Sequence, residues 1–201
     1  MGASGEIGKL VAAMLAASAH AARLLVRDAS KVSVGKDQDI LVGDATRTDV
    51  LIEVLDGMDI VVSNLGPYEM MGFARKLVDA MKQLGMRSLL WTATGGIDDA
   101  FTQETAARNY EALGGPPSRK GSYLHDQREA VDFDAGSGLD VTIFRWNWLT
   151  NEPTTSEVVV TKKGEEIVGG PISRRTAATF AMSVIDHPER YIGASLGVSS
   201  I

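Results

Sequence analysis

An α/β fold with a mostly parallel sheet is what this sequence predicts, and three observations carry the prediction. Short runs rich in branched apolar residues alternate with segments of helical periodicity, the runs are nearly continuous in their apolar character, and a glycine-rich turn opens directly into the first helix. Strands that are apolar on both sides must be covered on both faces, which is the situation of a parallel sheet between two helix layers.

The first helix is predicted over residues 6–18, because Ile7, Leu10, Val11, Met14 and Leu15 recur at the three- and four-residue spacing of one buried face. Val50, Leu51, Val54, Leu55 and Met58 mark a second helix, and Leu77, Val78, Met81 and Leu84 a third. A late helix carries Ala177, Ala178, Ala181, Val184 and Ile185 ahead of Pro188, with the Ser173 hydroxyl placed to cap it. Strands are predicted at 23–26, 40–42, 60–62, 88–91 and 141–144, each ending in a polar or glycine-rich turn. Residues 157–161 and 166–168 flank a Lys162-Lys163-Gly164-Glu165 turn and read as a small hairpin. Residues 114–121, with Pro116 and Pro117 adjacent, read as a surface loop or a lid over a ligand.

At 201 residues with 44% hydrophobic side chains the chain fits one domain with a sizeable core. The absence of cysteine removes disulfides, thiolate metal sites and a cysteine nucleophile together. Twenty basic against 26 acidic residues, net −6 with no Lys/Arg cluster, lack the electrostatic footprint of a nucleic-acid binder. No apolar run approaches the roughly 18 residues of a membrane span, and no signal peptide precedes the first charges. A soluble cytoplasmic protein is expected, with no metal site.

The turn Gly2-Ala3-Ser4-Gly5-Glu6-Ile7-Gly8 has the GxxGxxG spacing that lets backbone approach a pyrophosphate at a helix N-terminus. Chance spacing and a plain helix start are the alternative, but a strand ending in Arg27-Asp28 follows at the distance a dinucleotide site needs. An arginine there pairs with the extra phosphate of NADP, whereas an acid accepts from the ribose hydroxyl of NAD; neighbouring strand residues face opposite ways, and we favour Arg27 and NADP over Asp28 and NAD. Asp44 after the strand at 40–42 is placed to accept from the adenine amino group, and Asn64, Leu65 and Gly66 after the strand at 60–62 to border the ribose.

With those residues in view the chain resembles the atypical short-chain dehydrogenase/reductase superfamily, in its NAD(P)H-binding, NmrA-like branch that includes flavin and biliverdin reductases. The resemblance rests on GASGEIG, LLVRD, VGDATRTD, VVSNLG, TATGGI, YLHDQREAVDFDAGSGLDVTIFRWNWL and PISRRTAA, and covers nearly the whole chain. It implies a Rossmann-like doubly wound parallel sheet with a small C-terminal substrate region over 150–201, NADP or NAD in the crevice, and hydride transfer to a flavin, quinone or related small acceptor. Family members begin with an apolar strand before the glycine turn, and only Met1 stands there in this sequence. The first strand is therefore expected to be missing, leaving a gap of roughly 9–10 Å between its would-be neighbours, and an omitted N-terminus is expected rather than a new topology.

In short-chain dehydrogenases a tyrosine is paired with a lysine four residues on, and a serine stands after the fifth strand. Gln127 stands four residues after Tyr123, and Ala93 or Thr94 takes the serine's place. Without the lysine's charge Tyr123 is a poorer proton donor-acceptor, which suits hydride transfer to a flavin better than alcohol oxidation. Thr94, Tyr123 and His125 are the candidate catalytic residues, His125 also being readable as a surface helix residue; Gly2, Ser4, Gly5, Glu6, Ile7, Arg27, Asp44, Asn64, Leu65 and Gly66 are the candidate cofactor contacts. A non-catalytic NADP sensor that reports to a protein partner is the competing reading, and a sugar-nucleotide epimerase or dehydratase a weaker one. Trp146 and Trp148 wall an aromatic acceptor pocket or pack in the core. The acid pairs Asp98-Asp99 and Glu165-Glu166 are expected in solvated loops, Arg174-Arg175 at a helix start or in surface ion pairs, and His20 and His187 in structural roles.

Overall fold

The computed structural model describes residues 1–98, 100–101 and 103–201, with backbone alone at 103–105. Helix α1 (Glu6–Ala16) leads into β1 (Ala22–Val26) and β2 (Gln38–Val42), followed by α2 (Thr48–Leu55), β3 (Ile60–Ser63), α3 (Met70–Gln83) and β4 (Ser88–Thr94). Helices α4 (Gln103–Ala112) and α5 (Tyr123–Ala135) precede β5 (Asp140–Trp146). The last quarter holds β6 (Leu149–Thr150), β7 (Val158–Thr161), β8 (Ile172–Ser173), α6 (Arg174–Asp186) and β9 (Ser195–Ser200).

The main sheet runs β3-β4-β5-β9-β7, parallel except for β7, which is antiparallel to β9. Alternation along the strands sends side chains to two layers. Leu89, Trp91 and Ala93 of β4, with Val141 and Ile143 of β5, pack with Leu51, Leu77, Met81 and Leu124 of α2, α3 and α5. Phe144 and Trp146 of β5, with Leu196 and Val198 of β9, pack with Val11 of α1 and Ala177, Ala181 and Val184 of α6. The two-sided apolar strands thus have helices on both faces, as their composition requires. Trp91 is fully buried, and truncating such a side chain costs about 3–5 kcal/mol. Register places Thr94 beside Trp146 at the carboxyl end of the sheet, where crevices form in open α/β folds.

Strands β1 and β2 form a separate parallel pair with a small core of their own, Ala3, Ala12, Leu24 and Val26. Among the described residues β1 pairs as a strand only with β2 and β3 only with β4, and no strand lies between β1 and β3.

Two expectations need correction. Residues 166–168 do not form a strand: after the turn in which Glu165 accepts from the Lys162 N–H, the chain drops Ile167 into a buried position with its N–H on the Ala100 carbonyl, and β7 takes β9 as partner. The expected hairpin is thus a strand-turn-loop. Asp98 is not solvated: its side chain is 5% exposed and lies 3.3 Å from Nε of the fully buried Arg145, tying the turn after β4 to β5. Asp99 lies outside the described residues. Glu165 and Glu166 are exposed, Ser173 caps α6 by accepting from the Thr176 N–H, and His20 and His187 pair with Asp186 and Glu189 on the surface.

Candidate functional site

A crevice of about 970 Å³ opens at the carboxyl ends of β3, β4 and β5. One wall is backbone. Gly2 adopts a left-handed φ of +71°, and a Cβ there would lie 2.4 Å from the Asn64 carbonyl oxygen; a Cβ on Gly8 would lie 2.2 Å from the Gly2 oxygen. Only glycine permits this closeness of turn, helix and β3. Gly5 stands at the N-cap of α1 and offers no side chain to the first N–H groups of the helix, so those donors face the crevice uncapped, with the positive end of the helix dipole behind them. This is a cradle shaped for a phosphate or pyrophosphate.

Gly5, Glu6, Ile7, Asn64, Leu65 and Gly66 line the crevice as the sequence led us to expect, and Gly8 joins them. Gly2 shapes the turn from behind: it accepts the Gly5 N–H and packs on Asn64, while Ser4 is half-buried and outside the lining. The Asn64 side chain accepts from the Thr92 hydroxyl at 2.8 Å, which fixes the β3 end against β4.

Arg27 and Asp44 lie beyond the crevice, past the carboxyl ends of β1 and β2. Arg27 and Asp28 differ in a way the sequence did not show. The Asp28 carboxylate accepts from both the N–H and the hydroxyl of Ser30, and these hydrogen bonds hold it below the usual carboxylate range. Arg27 is exposed and no hydrogen bond holds it among the described residues; the nearby Asp44, itself lowered chiefly by the Thr46 backbone N–H, shares its field. The free group at this strand end is the cation.

The opposite wall is aromatic. Tyr123 begins α5, hydrogen-bonded with Thr94 and in edge contact with Tyr68, ring centres 5.9 Å apart. Burial pushes the phenol above its usual pKa, and the Thr94 hydrogen bond opposes this only in part; Tyr123 stays a neutral phenol at physiological pH. Gln127, four residues on, donates from Nε2 to the Pro67 carbonyl at 2.9 Å and also lines the crevice, a neutral group where a lysine would bring charge. The sequence-derived pair Thr94 and Tyr123 is therefore brought together, and no cation among the described residues shifts the phenol.

His125 is not on this wall. Its Nδ1 lies 3.0 Å from the Pro117 carbonyl, to which it can only donate, and its Nε2 lies 3.6 Å from Glu129. With Ser122 Oγ donating to the Pro116 carbonyl, it fastens the 114–121 loop to α5. The loop edges the crevice through Gly114 and Gly121.

Trp146 stacks on Phe144 at 4.9 Å and also lines the crevice, and Trp148 stands at the rim, 44% exposed. Arg174 opens α6, as its place in the sequence suggests, and lines the crevice too, one Nη donating to Asn151 Oδ1 at 2.8 Å; the crevice position is what the sequence does not show. Arg174 is the only lysine or arginine among the described lining residues. Tyr68 and Phe101 were also missed, since both sit in loops where periodicity is silent.

A family described as NAD(P)H-binding matches residues 2–188. The chain is 27% identical over 122 residues to phenylcoumaran benzylic ether reductase 1 of Arabidopsis thaliana, a match that takes in 55% of this chain and 39% of that protein's length. A Rossmann-fold NAD(P)-binding family protein from Shigella flexneri superposes with a TM-score of 0.83 at 27% identity, covering 100% of this chain and 91% of the other. A short-chain dehydrogenase/reductase from Veillonella parvula, solved in complex with NADP, gives a TM-score of 0.87 at 17% identity over 99% of this chain and 92% of the other, a likeness of fold.

Proposed function

The chain belongs to the NAD(P)H-binding family, and from that membership we propose that it is an NADPH-dependent reductase of a small conjugated acceptor such as a flavin or quinone, akin to the NmrA-like flavin reductases. The turn Gly2–Gly8 and the uncapped N-terminus of α1 would hold the pyrophosphate, Asn64 to Gly66 the nicotinamide-side ribose, Asp44 the adenine, and the free Arg27 the extra phosphate of NADP. The fit is supported by a glycine cradle that any Cβ would fill. When bound, the dihydronicotinamide supplies a hydride.

The protein's part is placement. Trp146, Trp148, Tyr68 and Tyr123 offer flat apolar faces against which a planar ring is held and from which water is excluded. Thr94 and the neutral Tyr123 offer hydroxyls that orient an acceptor oxygen or nitrogen. The observation that carries this reading is Gln127: it brings no charge, one N–H of its amide goes to Pro67, and no cation among the described residues lowers the Tyr123 pKa, so the phenol stays neutral where reversible alcohol chemistry uses a tyrosinate. An acceptor that takes hydride directly needs none.

The same observation also favours a second reading, an NADP-binding redox sensor that acts through a protein partner. NADPH oxidation followed at 340 nm with FMN or a small quinone separates the two. The reductase reading expects saturable turnover with NADPH; binding of NADPH in the micromolar range without turnover on any acceptor supports the sensor.

A further inference from the structure

The described lining of the crevice holds one acid, Glu6, and one strong base, Arg174. They do not neutralise one another: a Glu6 carboxylate oxygen lies 3.8 Å from Nζ of Lys9, and among the described residues no carboxylate forms an ion pair with Arg174. Building on the reductase reading above, we propose that Arg174 is an anion subsite of the crevice, and that the acceptor is a conjugated ring carrying a phosphate or carboxylate on a side arm.

The backbone beneath this cation is fixed from both sides. Strands β6 and β8 pair in parallel, Leu149 beside Ile172 and Thr150 beside Ser173, and the Ile172 N–H donates to the Trp148 carbonyl at 2.8 Å. The buried Ser173 hydroxyl accepts from the Thr176 N–H and donates to the Thr154 carbonyl, each at 3.0 Å. Arg174 comes next, where β8 turns into α6. One residue past β6 stands Asn151, whose Oδ1 accepts from Nη1 of Arg174 at 2.8 Å. The guanidinium is thus anchored on the segment that brings Trp148 and Leu149 to the crevice, and it belongs to the aromatic wall rather than to the glycine turn.

Helix formation does not call for a charge here. Arg174 is the first residue of α6, the end at which the helix dipole disfavours a cation, and the first turn contains no acid to offset it. Half-buried, the side chain gives up part of its hydration without gaining a counter-charge, in a chain whose 26 acidic residues outnumber its 20 basic ones. Asn151 is neutral, so it orients the guanidinium without discharging it. The bond through Nη1 leaves the edge formed by Nε and Nη2, whose parallel N–H groups match two oxygens of one carboxylate or phosphate. A ring lying against Trp146 and Trp148 with its anionic arm on Arg174 is held at two points, which decides which way round it faces the hydride donor.

The test titrates NADP-saturated protein by fluorescence with FMN against riboflavin, and with a naphthoquinone carboxylate against its methyl ester, so that phosphate and carboxylate arms are read separately. The parent is compared with Arg174→Gln, Arg174→Ala and, as a control, Arg175→Gln at the exposed neighbour, each checked for folding by thermal melting. We expect the parent to bind at least one anionic member about tenfold or more tighter than its neutral counterpart, on the scale of one charge-assisted contact. Both Arg174 variants should bring that ratio to within about twofold of unity with NADP affinity unmoved, and Arg175→Gln should keep the parent's ratio. Binding needs no turnover, so a parent that shows the ratio and never oxidises NADPH would end the reductase reading and leave the subsite standing. Turnover of charged and neutral members without preference would do the reverse. Equal binding within both pairs, a ratio that outlasts the loss of Arg174, no binding of any of the compounds, or a matching loss of NADP affinity would overturn the subsite.

Discussion

The two walls of the crevice are made of different material. The wall at α1 is backbone: glycines whose missing Cβ atoms let turn, helix and β3 close on one another, and N–H groups left uncapped. The wall at α5, the end of β5 and the start of α6 is side chain: Tyr123, Trp146, Trp148 and Arg174, the one basic residue of the described lining. Backbone recognition fixes a ligand part common to many proteins, a diphosphate, and tolerates almost no substitution. Side-chain recognition can be varied one residue at a time, so in the proposed reading the first wall holds the diphosphate and the second selects the acceptor.

The sharpest way to break this contrast is a single methyl group. Gly8→Ala sets a Cβ against the Gly2 carbonyl, and we expect nucleotide affinity by fluorescence titration to fall ~100-fold or more while circular dichroism keeps its helical signal. Unchanged affinity would show that the glycine turn does not bind. Next in size, Arg27→Ala should lower the preference for NADP over NAD by about 10- to 100-fold, on the scale of one lost charge-assisted phosphate contact, and Asp28→Ala should leave it alone, because that carboxylate caps Ser30. The reverse pattern would move the ribose contact to Asp28.

On the other wall, Arg174→Ala is expected to raise KM for an anionic acceptor about tenfold with the nucleotide Kd unchanged; a matching loss of nucleotide affinity would place Arg174 on the cofactor instead. Away from both walls, Asp134 isolates stability from binding. It is fully buried, its carboxylate oxygens have no hydrogen-bond partner among the described residues, and burial pushes it up to about 8. The folded state therefore holds a proton that the unfolded state releases near pH 4, so this residue's contribution to stability declines from about pH 4 to pH 8. Asp134→Asn should melt several degrees above the parent at pH 8, with the gain shrinking toward pH 4 and nucleotide affinity unmoved. A pH-independent difference would mean that Asp134 does not titrate there.

What the sequence made legible follows the same division. Period and glycine spacing locate α1, α2, α3, α6 and the parallel strands because those signals repeat along the chain. The antiparallel pairing of β7 with β9 was not legible, since nothing in residues 157–168 says that a strand near the C-terminus competes for the edge. Asp98 reads as a loop acid until Arg145, 47 positions away in the chain, is seen beside it. His125 looks catalytic by type and by nearness to Tyr123, yet lies two residues along the helix, about 200° around its axis, and turns to Pro117. Arg174 carries no periodic signal at all; only the packing of α6 beside α1 brings it to the crevice.

The central claim is that this site moves hydride to a conjugated acceptor without an ionised tyrosine, and the most direct measurement is anaerobic FMN reduction by saturating NADPH in the parent and in Tyr123→Phe. Comparable turnover in both, within about tenfold, is the predicted result, since the phenol only helps orient the acceptor and one neutral hydrogen bond is worth about 0.5–1.5 kcal/mol. A loss of more than ~100-fold in the variant, or no turnover in a parent that binds NADPH, would contradict it.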